Sequence, residues 1–185
     1  MYAWPTEHAA TEAPTDDKAL RRALGAFPTG VCLVSTVSAD GKREGMTINS
    51  FASVSLTPPL ILWSVRDAAR SADAFLNSRH FVLSVLAADQ QGLAAHFARP
   101  APDKFADWEA AFEPGLGGCP RLRHSVATFE CRVYSCHQEG DHSVLVGRVE
   151  AYRHTDTPPL FFHGGRMGSL WDLAEAMPAP VPANP

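Results

Sequence analysis

The chain of 185 residues lacks the features that mark several large classes of protein. It has no cluster of basic residues of the kind that follows a phosphate backbone, and its formal net charge is -4. No apolar run approaches the roughly 20 residues that a membrane-spanning helix needs. We therefore predict neither nucleic acid nor a membrane as a partner.

Cysteine is scarce and its pattern indicates neither disulfides nor a metal site. Cys32, Cys119, Cys131 and Cys136 show no metal-type pair spacing, and the histidines show no HExxH motif. No apolar N-terminal segment resembles a signal peptide, so we expect a cytoplasmic location, where disulfides are rare. No metal is predicted.

Two common kinds of catalytic or cofactor motif are also missing. No serine lies in a GxSxG elbow, and Cys119 has no basic partner that the sequence places beside it, which disfavours hydrolytic chemistry. No glycine-rich loop runs from a strand into a helix. A Rossmann dinucleotide site is therefore disfavoured, even if a nicotinamide cofactor is used.

The length of 185 residues predicts a single domain with flexible termini. Residues 1–15 are rich in Ala, Pro, Thr and Glu and residues 177–185 in Ala and Pro; both lack apolar periodicity, so burial cannot repay the entropy of ordering them. We predict a flexible N-terminal segment, a folded domain over residues 16–176 and a flexible tail.

Apolar and β-branched runs dominate the predicted domain. Strands are predicted over residues 31–37, 44–50, 60–65, 80–86, 126–134 and 142–153, with a final strand and turn at 161–166. Short helices are predicted after Asp16 or Asp17, after Ser71, and over 89–97 and 104–112. We therefore predict a mainly β fold, an antiparallel closed or partly split barrel with helical insertions.

Hydroxyl and amide side chains are concentrated between Gly45 and Pro59, in a stretch that otherwise reads as buried strand. Such side chains, with backbone N–H groups where pairing stops, can hold a phosphate or the edge of a heteroaromatic ring. The alternative is a polar strand end that faces water, which is the commoner arrangement.

Two further features carry both a functional and a structural interpretation. Gly140-Asp141-His142 lies at a hairpin junction, where it is either an ordinary turn or a place for His142 to pack flat against a ligand. Arg99 ends a predicted helix, where it either complements the helix dipole at the surface or meets a phosphate.

Together these segments resemble the flavin reductase family, the short flavin-dependent NAD(P)H oxidoreductases of the FMN-binding split-barrel class with Greek-key antiparallel topology. The resemblance covers nearly all of residues 20–170. The matching segments, in order, are Leu24 to Val31, Gly45 to Phe51, Ser53 to Leu60, Phe81 to Leu86, Phe97-Ala98, Glu130-Cys131, Gly140 to His142 and Gly147 to Val149.

The resemblance implies a homodimer that binds FMN or FAD and takes hydride from NADH or NADPH. The implied cofactor-binding residues are Thr29, Thr47, Asn49, Ser50, Ser53, Val54, Ser55, Ser71, Phe97, Ala98 and Arg99. Gly140, Asp141 and His142 would line the nicotinamide side, with His142 as the implied catalytic residue, orienting and stacking. A flavin-dependent monooxygenase would receive the reduced flavin.

The match departs from the family pattern near its end. Gly164-Gly165 and Met167 are unusual beside the Tyr and Arg often found in the closing strand, so the structure of the lid around Phe161–Arg166 is not implied. A barrel that binds flavin or haem without turnover is one alternative. A pyridoxamine-phosphate-oxidase-like enzyme is another, and it would be favoured by more basic residues than a chain with three lysines provides.

Overall fold

The computed structural model describes residues 16–169, so the predicted flexible segments 1–15 and 177–185 lie outside the described residues. The helices are Asp17–Leu24 (α1), Ala72–Leu76 (α2) and Gln91–Phe97 (α3), with 3-10 turns at Ala88–Gln90, Ala106–Ala111 and Leu116–Gly118. Each of these helices is too short or too polar to cross a bilayer.

The strands are short except for one long pair. They are Thr29–Gly30 (β1), Cys32–Val37 (β2), Arg43–Ile48 (β3), Ala52–Leu56 (β4), Pro59–Arg66 (β5), His80–Val85 (β6), Phe112–Pro114 (β7), Pro120–Leu122 (β8), Ala127–Glu139 (β9), His142–His154 (β10), Leu160–His163 (β11) and Arg166–Ser169 (β12).

Seven strands form one antiparallel sheet in the order β3-β2-β6-β9-β10-β5-β4. Strands β11 and β12 form a hairpin to which β1 adds, and β7 pairs with β8. The predicted class, mainly β and antiparallel with helical insertions, is confirmed. The outermost strands of the main sheet are β3 and β4, which follow each other along the chain. We call the outer edges of these two strands, with the linking residues 49–51, the open seam or simply the seam. The polar segment predicted to bind a ligand therefore runs along both strands of the seam.

Two apolar clusters lie against this sheet. The first is built around the fully buried rings of Trp63, Phe75 and Phe81. The second is built around Phe97 and Phe105 and is joined by Phe112, which is buried beside them; the Phe105 and Phe112 ring centroids are 4.9 Å apart. The second cluster fastens α3 against β2 and β3, next to the seam.

Three of the four cysteines belong to the interior. Cys32, Cys119 and Cys131 are buried, while Cys136 is exposed, and all four are unpaired. Burial raises the pKa of Cys32 and of Cys131 to about 12. These two thiols therefore pack as apolar groups and stay protonated at neutral pH.

Several element boundaries differ from the sequence prediction. Strand β9 extends to Glu139, past the predicted end at residue 134, because it stays paired with β10 up to a turn of only Gly140 and Asp141. Residues 104–112 form a 3-10 turn followed by β7, not a regular helix. The pair β7 and β8 was missed because it is short and rich in proline and glycine.

The helix starts were better predicted. Asp16 caps α1, since its carboxylate accepts a hydrogen bond from the Lys18 N–H at 2.8 Å. Ser71 stands at the N-cap position of α2 as predicted, but its hydroxyl makes no capping hydrogen bond. It lies instead 3.9 Å from the Met46 sulfur, and both side chains line a cleft.

Candidate functional site

A cleft with a volume of about 270 Å³, which we call the main cleft, lies beside the open seam. It is formed by β3, the loop that follows β5, and the C-terminal end of α3. Its lining residues are Lys42, Glu44, Met46, Thr47, Ala69, Arg70, Ser71, Phe97, Ala98, Arg99, Pro100, Ala101 and Lys104.

Positive charge predominates in the main cleft. Lys42, Arg70, Arg99 and Lys104 line it, against the single carboxylate of Glu44, which pairs with Lys42 at 2.5 Å. Guanidinium and ammonium groups gathered in one cleft favour an anion such as phosphate.

Lys104 joins two walls of the main cleft. Its Nζ donates to the Gly45 carbonyl on β3 at 3.0 Å and to the Phe97 carbonyl at the end of α3 at 2.9 Å. Partial burial lowers the pKa of Lys104; the nearby Glu44 opposes this shift, and Arg70 adds to it. The ammonium also offsets the negative end of the α3 dipole, which would otherwise repel an anion.

A second, apolar pocket of about 140 Å³ shares Thr47 with the main cleft. Val31, Ile48, Asn49, Phe162 and Met167 complete its walls. The β11–β12 hairpin therefore supplies one side of this pocket. This is the region for which the family resemblance implied no lid structure. A flat apolar group with a polar edge fits a pocket in which Thr47 and Asn49 are the polar residues.

Thr29 was predicted to contact the cofactor, and its environment is unusual. It pairs with Phe162 across β1 and β11, and Phe162 lines the apolar pocket. Within residues 16–169 its hydroxyl oxygen is buried and has no hydrogen-bond partner. A buried hydroxyl without a partner costs about 1–3 kcal/mol, which favours a ligand atom as its partner.

The polar residues of the seam differ in how free their side chains are. The Thr47 hydroxyl donates to the Ala94 carbonyl at 2.7 Å, so it is left as an acceptor toward the pocket. Asn49 is exposed at the pocket rim. The Ser50 hydroxyl accepts from the Ser64 N–H at 3.0 Å and donates to the Ser64 carbonyl, so it anchors the seam to β5.

Ser53, Val54 and Ser55 lie on β4, the edge strand of the main sheet. The register with β5 shifts between Ser53 and Ser55, so Val54 is the extra residue of a β-bulge. A bulge on an edge strand leaves main-chain groups outside the ladder, as the predicted N–H cradle requires. The Ser55 hydroxyl accepts from the Thr57 N–H at 3.1 Å and so helps to shape the following turn.

The residues predicted at the phosphate end come together. Ser71, Phe97, Ala98 and Arg99 all line the main cleft, although they derive from two separated segments of the chain. Phe97 is fully buried, with its ring centroid 5.1 Å from that of Phe105, so its ring shapes the wall from inside the second cluster and is not free to stack on a ligand.

The residues predicted to line the nicotinamide side are Gly140, Asp141 and His142. They lie where β9 turns into β10, and we call them the hairpin turn. Gly140 has a φ of +64°, which explains the glycine. The His142 ring donates from Nδ1 to the Asp141 carboxylate at 2.7 Å, and the side chain of His142 is 44% exposed. This hydrogen bond lowers the pKa of Asp141.

The hairpin turn does not line either pocket described above, but it adjoins the main cleft through β5. His142 pairs with Arg66, the last residue of β5, and Arg70 and Ser71 of the main cleft follow only a few residues later. Sequence reasoning did not identify three basic residues of the main cleft, which are separated along the chain and have no motif around them: Lys42, Arg70 and Lys104. It also did not identify the wall of the apolar pocket formed by Phe162 and Met167.

The sequence of this chain is similar to those of known proteins. The flavin reductase like domain family matches residues 24–170. The FMN reductase (NADH) SmoA of Agrobacterium fabrum is 43% identical over 166 residues, covering 89% of this chain and 92% of that protein. The reductase subunit HsaB of a flavin-dependent monooxygenase from Rhodococcus jostii is 39% identical, covering 89% of this chain and 83% of that one.

A solved structure extends the comparison to three dimensions. The NADH:FAD oxidoreductase of Streptomyces globisporus, in complex with NAD and FAD fragments, superposes with a TM-score of 0.80 at 33% identity, over 95% of this chain and 100% of that one. Some relatives are longer, and the chain spans about half the length of two of them. By its matched residues and its fold, the chain belongs to the flavin reductase like domain family.

Proposed function

We propose that the chain is an NADH-dependent flavin reductase that binds FMN or FAD at the seam and supplies reduced flavin to a separate monooxygenase. The observation that carries this proposal is the meeting of Thr47, Ser71, Ala98 and Arg99 in one cationic cleft that continues into an apolar pocket. Relatives named as NADH-dependent flavin reductases and as reductase subunits of monooxygenases support it.

The residues present fit a flavin phosphate. Arg70 and Arg99 offer guanidinium groups to it, and Lys104 adds a charge while fixing the wall between them. Ser71 contributes a hydroxyl that makes no capping bond within its own helix. We propose that these residues hold the phosphate end of the cofactor.

The ring end is proposed to lie at the seam. Thr29 can accept or donate at the polar edge of the ring, Thr47 can accept there, and Asn49 offers an amide. The bulged segment Ser53–Ser55 would present main-chain N–H groups where negative charge develops. Ser50 stays a predicted contact, in competition with its bonds to β5.

The flavin, when bound, supplies the redox chemistry by accepting a hydride from the nicotinamide. The chain itself contributes positioning, since such a transfer needs two rings held face to face and no protein nucleophile. We propose that His142 lines the nicotinamide side and orients that ring, with Gly140 and Asp141 shaping the turn that presents it.

A homodimer is part of the proposal. The edge strand β4 exposes Val54 and Leu56, the latter 93% exposed, and α1 and the residues after it expose Leu24 and Phe27. A second copy that covers such apolar surface would also complete the seam. A monomeric mass by light scattering, with flavin bound and activity intact, would contradict this.

The proposal also covers the extent of the domain and the location of the protein. We propose that residues 16–176 are the folded domain, in agreement with the family match over 24–170. We propose a cytoplasmic location, because the four cysteines are all unpaired, as is usual in a reducing compartment.

The test is oxidation of NADH, followed by its absorbance, with FMN, FAD or riboflavin and with none. We expect flavin-dependent oxidation that is faster with NADH than with NADPH. Flavin binding without turnover under every combination would favour a binding module, and absence of both binding and turnover would defeat the proposal.

A further inference from the structure

Asp67 makes three contacts with the end of the β9–β10 hairpin. Its backbone N–H donates to the Asp141 carbonyl at 3.0 Å. Its carboxylate accepts from the Ser143 hydroxyl at 2.7 Å and from the Gln138 side-chain amide at 3.4 Å. Two of these partners, Asp141 and Ser143, are the neighbours of His142 on either side.

Asp67 also begins the loop that leads into the main cleft. The loop is short and internally bonded, since the Ala69 N–H donates to the Arg66 carbonyl and the Ala72 N–H donates to the Ala69 carbonyl, both at 2.9 Å. Arg70 and Ser71, at its end, line the main cleft. Asp67 is therefore joined to the cationic wall through a short, hydrogen-bonded stretch of chain.

We propose that Asp67 is a positioning residue that ties the hairpin turn to the loop bearing Arg70 and Ser71, so that the two form one structural unit. The inference rests on the proposed function, in which the hairpin turn faces the nicotinamide and the loop faces the flavin phosphate. Asp67 would then set the distance between the two binding walls.

Main-chain pairing of β5 with β10 already joins these segments, and the one other side-chain contact described between them, the Arg66–Asp141 ion pair, is weaker. The Arg66 guanidinium lies 3.7 Å from the Asp141 carboxylate, and both side chains are mostly exposed, so solvent screens the pair. Ser143 is buried, and its hydroxyl donates to a charged carboxylate, which is the stronger kind of hydrogen bond. The Asp67–Ser143 bond is thus the main side-chain link.

The test compares Asp67→Ala, Asp67→Asn, Ser143→Ala and the double variant Asp67→Ala with Ser143→Ala. Asp156→Ala, an exposed aspartate between β10 and β11, serves as the matched control. The first measurement is amide hydrogen exchange of residues 66–71 and 138–143 in the flavin-free protein, which does not depend on activity. The second is NADH oxidation at saturating FMN.

We expect Asp67→Ala to raise exchange at least several-fold in both segments together and to lower kcat/KM for NADH about fivefold to tenfold. Asp67→Asn keeps an amide oxygen that can accept from Ser143, so it should stay within about twofold of wild type. The double variant should lose no more than Asp67→Ala, because both changes remove one bond. The control should match wild type.

Exchange that rises in only one of the two segments would overturn the inference, and so would additive losses in the double variant or wild-type behaviour of Asp67→Ala. If Asp67→Ala does not fold, Ser143→Ala and Asp67→Asn decide between these outcomes. A wild-type protein that oxidises no NADH defeats the proposed function instead, and the exchange data still decide whether the two segments move together.

Discussion

The main cleft and the hairpin turn are held in place by different kinds of contact. The walls of the main cleft rest on buried rings, with Phe97 and Phe105 packed beneath Gly45 and with Lys104 bonded to carbonyls on both sides. The hairpin turn is mostly exposed, and its charged contacts face solvent.

The two kinds of contact suit the two regions to different proposed roles. Packing in a buried cluster holds atoms within narrow limits, which suits a cofactor site that must be formed before the cofactor arrives. A solvent-exposed turn opens more easily, which would suit the proposed nicotinamide side, where the substrate must enter and leave in each cycle. Substitutions in the cleft should therefore cost stability and cofactor affinity together, and substitutions in the turn should cost turnover alone.

Gly45→Ala should give the largest effect. A Cβ at this position would lie 3.0 Å from the rings of both Phe97 and Phe105, and both rings are fully buried. We expect a loss of about 1–3 kcal/mol in the free energy of unfolding, with weaker FMN binding, measured by urea denaturation and by fluorescence titration.

Gly92→Ala is the matched control for this change. Gly92 lies on α3, next to the same cluster, but a Cβ there would meet nothing within 4 Å. Alanine should leave the protein as stable as wild type or up to about 1 kcal/mol more stable. Equal losses for both variants would mean that the close approach at Gly45 is not what fixes the cleft.

Lys104→Met should have the next largest effect, a loss of about tenfold in FMN affinity, because a positive charge at the proposed phosphate site disappears together with its two hydrogen bonds to the cleft walls. Riboflavin, which has no phosphate, should lose less. Titration of both ligands by fluorescence quenching measures the difference. Equal losses for FMN and riboflavin would show that Lys104 acts on the wall alone and not on the phosphate.

The same lysine predicts a pH dependence. Burial lowers the pKa of Lys104, so as the pH rises its positive charge is lost at a lower pH than the charge of an exposed lysine. FMN affinity should fall in that alkaline range. Lys104→Arg keeps its charge there, since arginine is not deprotonated in proteins, and should show no such fall. A fall of the same size in Lys104→Arg would assign the titration to another group.

The sequence predicts the strands of the main sheet well and predicts the walls of the cleft only in part. Periodicity and turn residues located β5, β6 and the β9–β10 hairpin, and the family resemblance brought Ser71 and Arg99 into one site. The sequence did not predict that Lys104 or Phe162 lies at the site, because their positions depend on how α3 and the β11–β12 hairpin pack against the seam.

The roles of individual side chains were predictable only where local chemistry decides them. Asp16 caps α1 because the cap is formed within two residues of the chain. Ser50, by contrast, reads like any other polar residue of the seam, and only the pairing of distant strands gives its hydroxyl to Ser64. Long-range partners of this kind leave no local pattern in a single sequence.

His142→Ala tests the other side of the comparison. Because the ring is proposed to meet the nicotinamide, the variant should reduce flavin about threefold to tenfold more slowly, with FMN affinity within about twofold of wild type. Stopped-flow reduction under anaerobic conditions separates the two quantities. His142→Asn keeps a hydrogen-bonding group without the ring and so distinguishes stacking from hydrogen bonding.

A loss confined to KM would mean that His142 binds the nicotinamide equally in ground and transition states, whereas a fall in kcat would mean a contact that strengthens in the transition state. Wild-type rates and nicotinamide affinity in His142→Ala would remove the residue from the site. A loss of FMN affinity would instead contradict the division between the two regions.

Asp141→Asn should have the smallest effect. The hydrogen bond from His142 lowers the pKa of the Asp141 carboxyl, but the group is exposed, and an asparagine oxygen can still accept that hydrogen bond. Turnover should stay within about twofold of wild type. Steady-state kinetics and thermal melting across the acid range measure the two consequences.

The sign of the acid effect follows from the direction of the shift. A carboxyl whose pKa is lower in the folded than in the unfolded protein stabilises the fold above the ordinary aspartate value, and this contribution is lost as the pH falls through the lowered pKa. Any difference in melting temperature between wild type and Asp141→Asn should therefore be small at neutral pH and vanish in acid. A large difference that persists in acid would mean that Asp141, not Asp67, holds the hairpin turn.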